Sequence, residues 1–460
     1  MNNRSMPRVE RFVPFALAAA MALAAVLLLW EGRDLTFFVD EWSFGYGERY
    51  GLAPAELLAP ENGHLALVPV LLTKASLALF GAETTLPLRL LSVCFHLATA
   101  LLLFLILRRR VGDLVALAPT VLVLFLGAAA DLLIGSHGMP MLIAVAAGLG
   151  AWLALERDSR GGDVAAALLL AFGLAANGLA LVFAVGALAI LLAAGARGRS
   201  RLWCVLAPLA LYALWSLIYG DGESDFAVAN LAALPSFGFR SLAAELAAAS
   251  GLFADPGARV QSFDPAAGTA LAGALLVGLA GLWLARVRVP LRPLLPALAA
   301  LLALWALTGA VASPARQPES ARYLYPGVIL LALIAGAALA QAPWRRRGCL
   351  LLVAVCALGL PPNLREINYA GDFFREQSAQ DRAVLAAADS LGTATDPSLV
   401  LEPLGDPAAV GVAEMSFDLG AYRRAREAYG SPALSAAQLR SASPSVYAAA
   451  ARLLERAGAD

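Results

Sequence analysis

Charge is scarce in this sequence, and that scarcity is the first constraint on the protein. Only 15% of the 460 residues are Asp, Glu, Lys or Arg, whereas 60% are hydrophobic and the mean hydropathy is +0.72. A water-soluble globular domain of this composition would hardly stay in solution. The formal net charge is zero, so no overall field favours nucleic acid as a partner. The composition therefore predicts an integral membrane protein embedded in a lipid bilayer, with no nucleic-acid partner.

Two chemical signals are also missing. The four cysteines lie inside apolar runs without metal-ligand spacing, so they imply neither a disulfide framework nor a zinc site. There is no glycine-rich phosphate loop and no dinucleotide fingerprint. Any group transfer by this protein is therefore expected to use a donor other than a nucleotide held by such a loop.

Long apolar runs are what the sequence has in abundance. The first is long enough to span a membrane, so we expect a retained anchor here and not a cleaved signal peptide. The run at 164–194 contains Asn177-Gly178, a turn signal that favours two short helices, with one long tilted helix as the alternative. That alternative would give ten spans and move the C-terminal tail to the other side. The hairpin gives about eleven helices, at 12–30, 86–107, 114–134, 139–155, 164–176, 178–194, 202–219, 268–286, 294–312, 324–341 and 347–361.

The positions of Lys and Arg predict the orientation. Six connections are basic, and one topology places all of them on the cytoplasmic side of an inner membrane, with the N-terminus cytoplasmic and the C-terminus extracytoplasmic. If the segment 65–81 also spanned, every later loop would be inverted. We therefore expect it to lie along the outer interface, with Lys74 snorkelling to the headgroups. The six connections are "RSMPRVER", "RRRVGD", "ERDSRGGD", "GARGRSR", "ARVRVPLR" and "WRRRG".

Composition also predicts a division of the chain. Residues 1–361 form a transmembrane module, which includes a first external loop at 31–85 with two interfacial helices and a second external loop at 220–264. Beyond Pro362 charged residues and turn formers become frequent. Residues 362–460 are expected to be a small extracytoplasmic domain or tail.

Polar side chains from distant parts of the chain gather on the outer face in this topology. A partly desolvated carboxylate can act as a general base or hold a divalent ion, and arginine suits a lipid phosphate. His96 lies inside a span, where a hydrogen-bonded core histidine is the expected role. The candidate catalytic residues are Asp40 and Glu41. The candidate substrate-binding residues are His64, Lys74, Arg89, Asp131, His137, Arg322 and Tyr323.

Several of these residues carry a resemblance to a known family. "DE" at 40–41, "LFG" at 79–81, Arg89 and Arg108 to Arg110 resemble the opening of GT-C-fold glycosyltransferases, polytopic enzymes that use polyprenyl-phosphate sugars. "LAANGLA" and "ESARYLYPGVILLALIAG" are similar to later elements of such enzymes, including the mannosyl and aminoarabinose transferases. The segment "NGHLALVP" departs from the family pattern. The acceptor and any metal dependence therefore stay open.

The resemblance implies an all-α, GT-C-like bundle that transfers a sugar from a polyprenyl-phosphate donor to a cell-envelope glycan, lipid or protein. It implies that Asp40 is the catalytic carboxylate and Arg322 a phosphate contact. The sequence identifies no definite cofactor, and a divalent metal ion with Asp40, Asp131 and His137 as candidate ligands is an open alternative. A multi-pass transporter or lipid flippase, which should carry ionisable groups at the bilayer midplane, and a non-catalytic scaffold are the competing functions.

Overall fold

A computed structural model describes residues 11–38, 40–45, 51–220, 226–254, 264–286, 291–313, 316–342, 344–401 and 417–458, except for the side chain of Asp40. The fold is almost entirely helical, since backbone groups in a bilayer must find their hydrogen-bond partners within the chain. The first half contains α1 (Val13–Glu31), α2 (Asp40–Gly45), α3 (Pro54–Leu57), α4 (Leu67–Phe80), α5 (Leu86–Val111), α6 (Asp113–Leu124), α7 (Ala130–Ile134), α8 (Met139–Leu155), α9 (Arg160–Leu174), α10 (Ala180–Ala193), α11 (Ala196–Arg199) and α12 (Trp203–Tyr219).

The second half continues the bundle and adds a C-terminal region. Its helices are α13 (Val228–Ser250), α14 (Pro265–Leu284), α15 (Leu295–Ala310), α16 (Ala321–Gln341), α17 (Arg345–Ser390), α18 (Leu419–Tyr429), α19 (Ala436–Arg440) and α20 (Pro444–Arg456). Two short antiparallel strand pairs complete the described fold, β1 (Pro60–Glu61) with β2 (His64–Leu65) and β3 (Val400–Leu401) with β4 (Phe417–Asp418).

Every apolar run predicted from the sequence coincides with a helix, which confirms a polytopic all-α membrane protein. Among the described residues, six helices are long and apolar enough to cross a membrane. A seventh span is formed if α6 is joined to the residues that follow it, 127–134, across a bend of 41°. α8, α10 and α15 are shorter apolar helices.

The stretch at 164–194 is a hairpin of two helices, as the Asn-Gly signal predicts. α9 ends at Leu174 and α10 begins at Ala180. Between them the Asn177 side-chain oxygen accepts a hydrogen bond from the backbone N of Leu179 at 2.9 Å, which is how asparagine stabilises a turn. The alternative of one long tilted helix is therefore wrong.

The bundle has two chemically different ends. At one, which we call the basic end, Arg108 pairs with Asp113 at 2.7 Å, and Arg201 pairs with Asp158 at 2.8 Å. The basic segments 1–10 and 287–290 lie outside the described residues. At the opposite end, the site end, the last turn of α1 meets the start of α5 and the end of α7. Which end faces the cytoplasm stays a prediction from the charge bias.

The first external segment and the C-terminal region both lie at the site end. α2 and α4 correspond to the two predicted interfacial helices, and α3 adds a single turn. α17 runs without interruption through Pro361 and Pro362, across the predicted division of the chain, and continues to Ser390. α20 packs along its outer part. The backbone N of Ala82 donates to the Tyr429 carbonyl at 2.7 Å, so the C-terminal region contacts the exit of α4. The proposed domain division itself stays a prediction.

Candidate functional site

The predicted acidic pair forms the start of α2. Asp40 is the first residue of the helix, and its side chain lies outside the described part of the structure. Glu41 is 3% exposed, and its carboxylate accepts a hydrogen bond from the backbone N of Phe38 at 3.0 Å. Ser43 donates to the carboxylate of Glu61 at 3.4 Å, which ties α2 to the hairpin of β1 and β2. The carboxylate of Glu41 is thus held at the site end by the backbone of its own segment.

The hairpin that carries Glu61 and His64 was not predicted, although the sequence contained the signal for it. Asn62 and Gly63 have φ angles of 50° and 76°, and a two-residue turn with positive φ at both positions is what Asn-Gly favours between strands. His64 leaves the turn and packs on Gly178 in the α9–α10 connection. A Cβ atom at Gly178 would lie 2.6 Å from His64 Nδ1, so this close approach requires glycine.

Arg89 lies at the start of α5 beside the last turn of α1. Its guanidinium is 8% exposed and donates to the Leu29 carbonyl at 3.3 Å, while its Nε has no hydrogen-bond partner among the described residues. Asp34 and Glu41 supply the opposing negative charge. Glu41 and the predicted arginine of α5 therefore belong to one electrostatic group, together with Asp34.

Asp131 and Arg322 form a second group. Asp131 follows the bend after α6, and one of its carboxylate oxygens is buried without a hydrogen-bond partner in the described part of the chain. Arg322, at the start of α16, supplies opposing positive charge to Asp131, and its guanidinium carbon lies 5.4 Å from the centre of the Tyr323 ring. A half-buried carboxylate beside an arginine matches the polar cavity that an acid at a span end requires.

His64 joins this second group. Its pKa is lowered to about 4, mainly because it is buried and also because Arg316 and Arg322 place positive charge nearby. His64 is therefore a neutral hydrogen-bonding group at neutral pH. Arg316 belongs to the same group and was not among the predicted site residues. Its position two turns before α16 in an external connection was the available signal.

His137 has a more apolar environment. Its ring lies 4.9 Å from the Phe38 ring and 6.1 Å from the Phe374 ring, centre to centre, and burial lowers its pKa to about 4. Its Nδ1 has no hydrogen-bond partner among the described residues. Within those residues, no three His, Cys, Asp or Glu side chains come together as a metal site would need. The side chain of Asp40, the third candidate ligand, lies outside the described residues, so a divalent metal site with Asp131 and His137 stays a prediction.

Lys74 and His96 differ in how well their positions agree with the sequence predictions. Lys74 is only 7% exposed in α4, so it faces the protein and does not snorkel to the headgroups as expected. His96 is fully buried in α5, with Nδ1 2.8 Å from the Tyr325 hydroxyl and Nε2 3.2 Å from the Leu124 carbonyl. The expected role of His96 as a hydrogen-bonded core residue is confirmed.

A multi-pass helical bundle with an acidic helix and buried arginines at one end, followed by a C-terminal region, has the GT-C fold of polytopic membrane glycosyltransferases. Two solved structures share this fold. ArnT from Cupriavidus metallidurans bound to undecaprenyl phosphate aligns with a TM-score of 0.51 at 14% identity, over 95% of this chain and 88% of that one. The apo state of the same ArnT aligns with a TM-score of 0.53 at 15% identity, over 91% and 89%.

No protein-family model and no curated protein matches the chain. At identities this low, the likeness to ArnT establishes the fold.

Proposed function

We propose that this protein is a glycosyltransferase that moves a sugar from a polyprenyl-phosphate donor to an acceptor at the site end. The observation that carries the proposal is the fold shared over 95% of the chain with an ArnT structure bound to undecaprenyl phosphate. The second support is that Arg89, Arg316 and Arg322 lie at the site end together with Glu41, Asp131 and His64. Arginines held at a membrane surface suit the phosphate of a lipid carrier.

The donor phosphate is proposed to bind at the second group. Arg322 supplies positive charge to both Asp131 and His64, and His64 is neutral at neutral pH. The guanidinium can donate two parallel hydrogen bonds to phosphate oxygens, and it stabilises the negative charge that develops on the leaving group. Tyr323 lies against the same guanidinium, and Lys74 and Arg89 are the further cations proposed for the donor. His137 is proposed to offer the substrate its Nδ1, which makes no hydrogen bond to any residue that the structure describes.

The acceptor hydroxyl is proposed to meet Asp40. In an inverting transfer, the acceptor oxygen attacks the anomeric carbon, the bond from that carbon to the phosphate oxygen breaks, and Asp40 takes the hydroxyl proton. The polyprenyl phosphate leaves with the bonding electrons. Glu41 is proposed to position this helix, since its carboxylate already accepts from the backbone N of Phe38.

The site end is proposed to face the extracytoplasmic side of the inner membrane, where the donor lipid and the envelope acceptor would meet it. The acceptor class, whether glycan, lipid or protein, stays open. Labelling of single cysteines placed at positions 40, 131 and 320 by a membrane-impermeant reagent from outside the cell would support this orientation. Labelling of any of the three only from the cytoplasmic side would contradict it.

The proposed activity is tested by reconstituting the purified protein with labelled polyprenyl-monophosphate sugars and measuring sugar transfer and donor hydrolysis. We expect Asp40→Asn to lower the rate about 10²- to 10⁴-fold, which is the range for loss of a general base. The matched control is Asp113→Asn, the same substitution in the Arg108 ion pair at the basic end. Equal rates for wild-type protein and Asp40→Asn, with equal thermal stability, would contradict the assigned role.

A further inference from the structure

A cavity of about 260 Å³ lies at the basic end, remote from the site end and unused by the proposed transfer. It opens where α5, α8 and α10 end and α15 begins. Its walls change in character with depth along these helices: Ile106, Trp152 and Ile190 are apolar, whereas the rim carries Arg110, Glu156 and Arg292.

The apolar walls of the cavity are fixed by specific packing contacts. The indole of Trp152 donates to the Phe183 carbonyl at 2.8 Å, which fixes the ring plane. A Cβ atom at Gly186 would lie 2.0 Å from that ring, so glycine lets the indole lie directly against α10. Trp152 is 4% exposed and Ile106 is 3% exposed, and neither can turn away without repacking the bundle.

The charges at the rim leave a net positive site. Glu156 pairs with Arg109 and also acts on Arg110, so a single carboxylate faces Arg109, Arg110 and Arg292 at the rim. Arg110 donates one N–H to the Leu333 carbonyl at 3.3 Å, and its other N–H groups make no hydrogen bond within the described residues. Arg292 is exposed and makes no ion pair in that part of the chain. Two guanidinium groups are therefore available to an anion.

Along these helices the charged groups lie nearer the bundle end and the apolar groups lie deeper, which matches the polar head and apolar chain of an amphiphile. Arg110 lies four residues beyond Ile106 on α5, and Glu156 four residues beyond Trp152 on α8, so each polar group lies about 6 Å nearer the bundle end than its apolar partner. An anion here would meet arginines outside and hydrocarbon inside. Free phosphate would use only the rim, whereas a lipid would use both layers.

We infer that this cavity binds an anionic phospholipid of the leaflet at the basic end, with the lipid phosphate at Arg110 and Arg292 and the first methylene groups against Ile106, Trp152 and Ile190. Basic pockets between transmembrane helices recognise such headgroups by charge, and guanidinium matches phosphate oxygens. This site is independent of the proposed transfer reaction, and the lipid would stabilise the junction of α5, α8, α10 and α15.

The test measures lipid binding to the full-length detergent-solubilised protein by native mass spectrometry. The probes are phosphatidylglycerol, phosphatidylcholine and glycerol phosphate. We expect Arg110→Gln with Arg292→Gln to weaken phosphatidylglycerol binding roughly tenfold or more and to leave phosphatidylcholine binding unchanged. The matched control, Arg197→Gln with Arg199→Gln, removes the same charge from α11 at the same end and should change binding less than twofold.

Two further measurements separate a lipid site from diffuse attraction. Ile190→Trp fills the apolar layer with both arginines intact and should also weaken phosphatidylglycerol binding, and glycerol phosphate should fail to compete. The single variant Arg292→Gln removes an exposed side chain and should weaken binding even if Arg110→Gln impairs folding. Equal weakening by the α11 control pair, full binding by Ile190→Trp, or competition by glycerol phosphate would each overturn the inference.

Discussion

His64 lies where a two-residue turn, a second loop and two arginines meet. The turn at Asn62-Gly63 sets its direction, Gly178 gives its ring room, and Arg316 and Arg322 supply the field around it. Burial and this field both oppose protonation, so the pKa of His64 is about 4 in the folded protein. Its ordinary value near 6.5 returns when the chain unfolds. The stability of the folded protein is therefore linked to pH through this residue.

The linkage predicts a loss of stability in mild acid. Above about pH 6.5 His64 is neutral in both states, and its contribution is fully present. As the pH falls from 6.5 towards 4, His64 binds a proton in the unfolded chain but not in the folded protein, so the free energy of unfolding decreases. We expect this residue to account for about 1 to 2 kcal/mol between pH 7 and pH 5. Thermal unfolding in detergent across pH 4 to 7.5 measures it.

The matched variant for this prediction is His64→Gln, which keeps a neutral polar side chain but cannot titrate. Its melting temperature should fall less steeply as the pH is lowered than that of the wild-type protein, because the linkage from His64 is removed. Identical pH slopes for the two proteins would show that the pKa of His64 is not lowered in the fold.

Asn363 shows how single polar side chains join helices in this bundle. It is fully buried in α17, where its amide N donates to the carbonyls of Ala248 and Gly359, each at 2.9 Å. Its amide oxygen accepts from the backbone N of Ala128 at 3.0 Å, in the bend that follows α6. Asn363 therefore pairs the Ala128 N–H at the bend and gives the Ala248 carbonyl at the end of α13 a second hydrogen bond beside that from the backbone N of Gly251.

Removing the side chain of Asn363 should lower the stability of the folded protein. Asn363→Ala removes the hydrogen-bond acceptor of the buried Ala128 N–H and the donor to the Ala248 carbonyl, which keeps its bond from the backbone N of Gly251. We expect a loss of about 2 to 4 kcal/mol in the free energy of unfolding. The matched control is Asn230→Ala at the other end of α13, where the side chain is only partly buried and bonds to the carbonyls of Ala310 and Ala312. That change should cost about 1 kcal/mol. Equal costs for the two variants, measured by denaturant unfolding, would argue against the junction.

The helices were largely predictable from the sequence because a membrane span must be long and apolar, and the turn at Asn177-Gly178 was predictable from its residue types. The bend after α6 was not, because Asn363 supports it from a position more than two hundred residues away. The burial of Lys74 was missed for a similar reason: its surroundings come from elements that are distant in sequence. Local patterns specify helices, and distant contacts specify which polar residues face inward.

At the scale of the whole molecule, the C-terminal region braces the helix that carries Asp40. Trp42 in α2 is 1% exposed, and its ring lies 5.4 Å from that of Phe417 in β4 and 5.3 Å from that of Phe37. The apolar cluster continues from these rings into α17, α18 and α20. The first external segment and the end of the chain therefore share one core at the site end.

The packing of the C-terminal region against α2 could not be predicted from the sequence. The common layer of Asp131 and Arg322 followed from span counting, because the ends of alternate helices must meet at one face. The docking of β4 on α2 did not, since nothing in "DEWSFG" indicates that Trp42 packs against a residue near position 417 and not against lipid. Aromatic residues near a membrane surface are common interfacial anchors, so composition alone favours the wrong partner.

The shared core predicts that the C-terminal region affects the chemistry without touching the substrate. Trp42→Ala should cost about 3 to 5 kcal/mol of stability, and Phe417→Ala a similar amount. Since the two rings are in contact, the double variant should be less destabilised than the sum of the two single variants by about 0.5 to 3 kcal/mol.

Because Asp40 is two residues before Trp42 on the same short helix, both single variants should also lower the transfer rate at temperatures where they remain folded. The control is Tyr447→Ala, which truncates a 58% exposed aromatic residue of α20 and should affect neither stability nor transfer. Additive costs in the double variant, or full transfer activity in Trp42→Ala, would show that α2 holds its position without the C-terminal region.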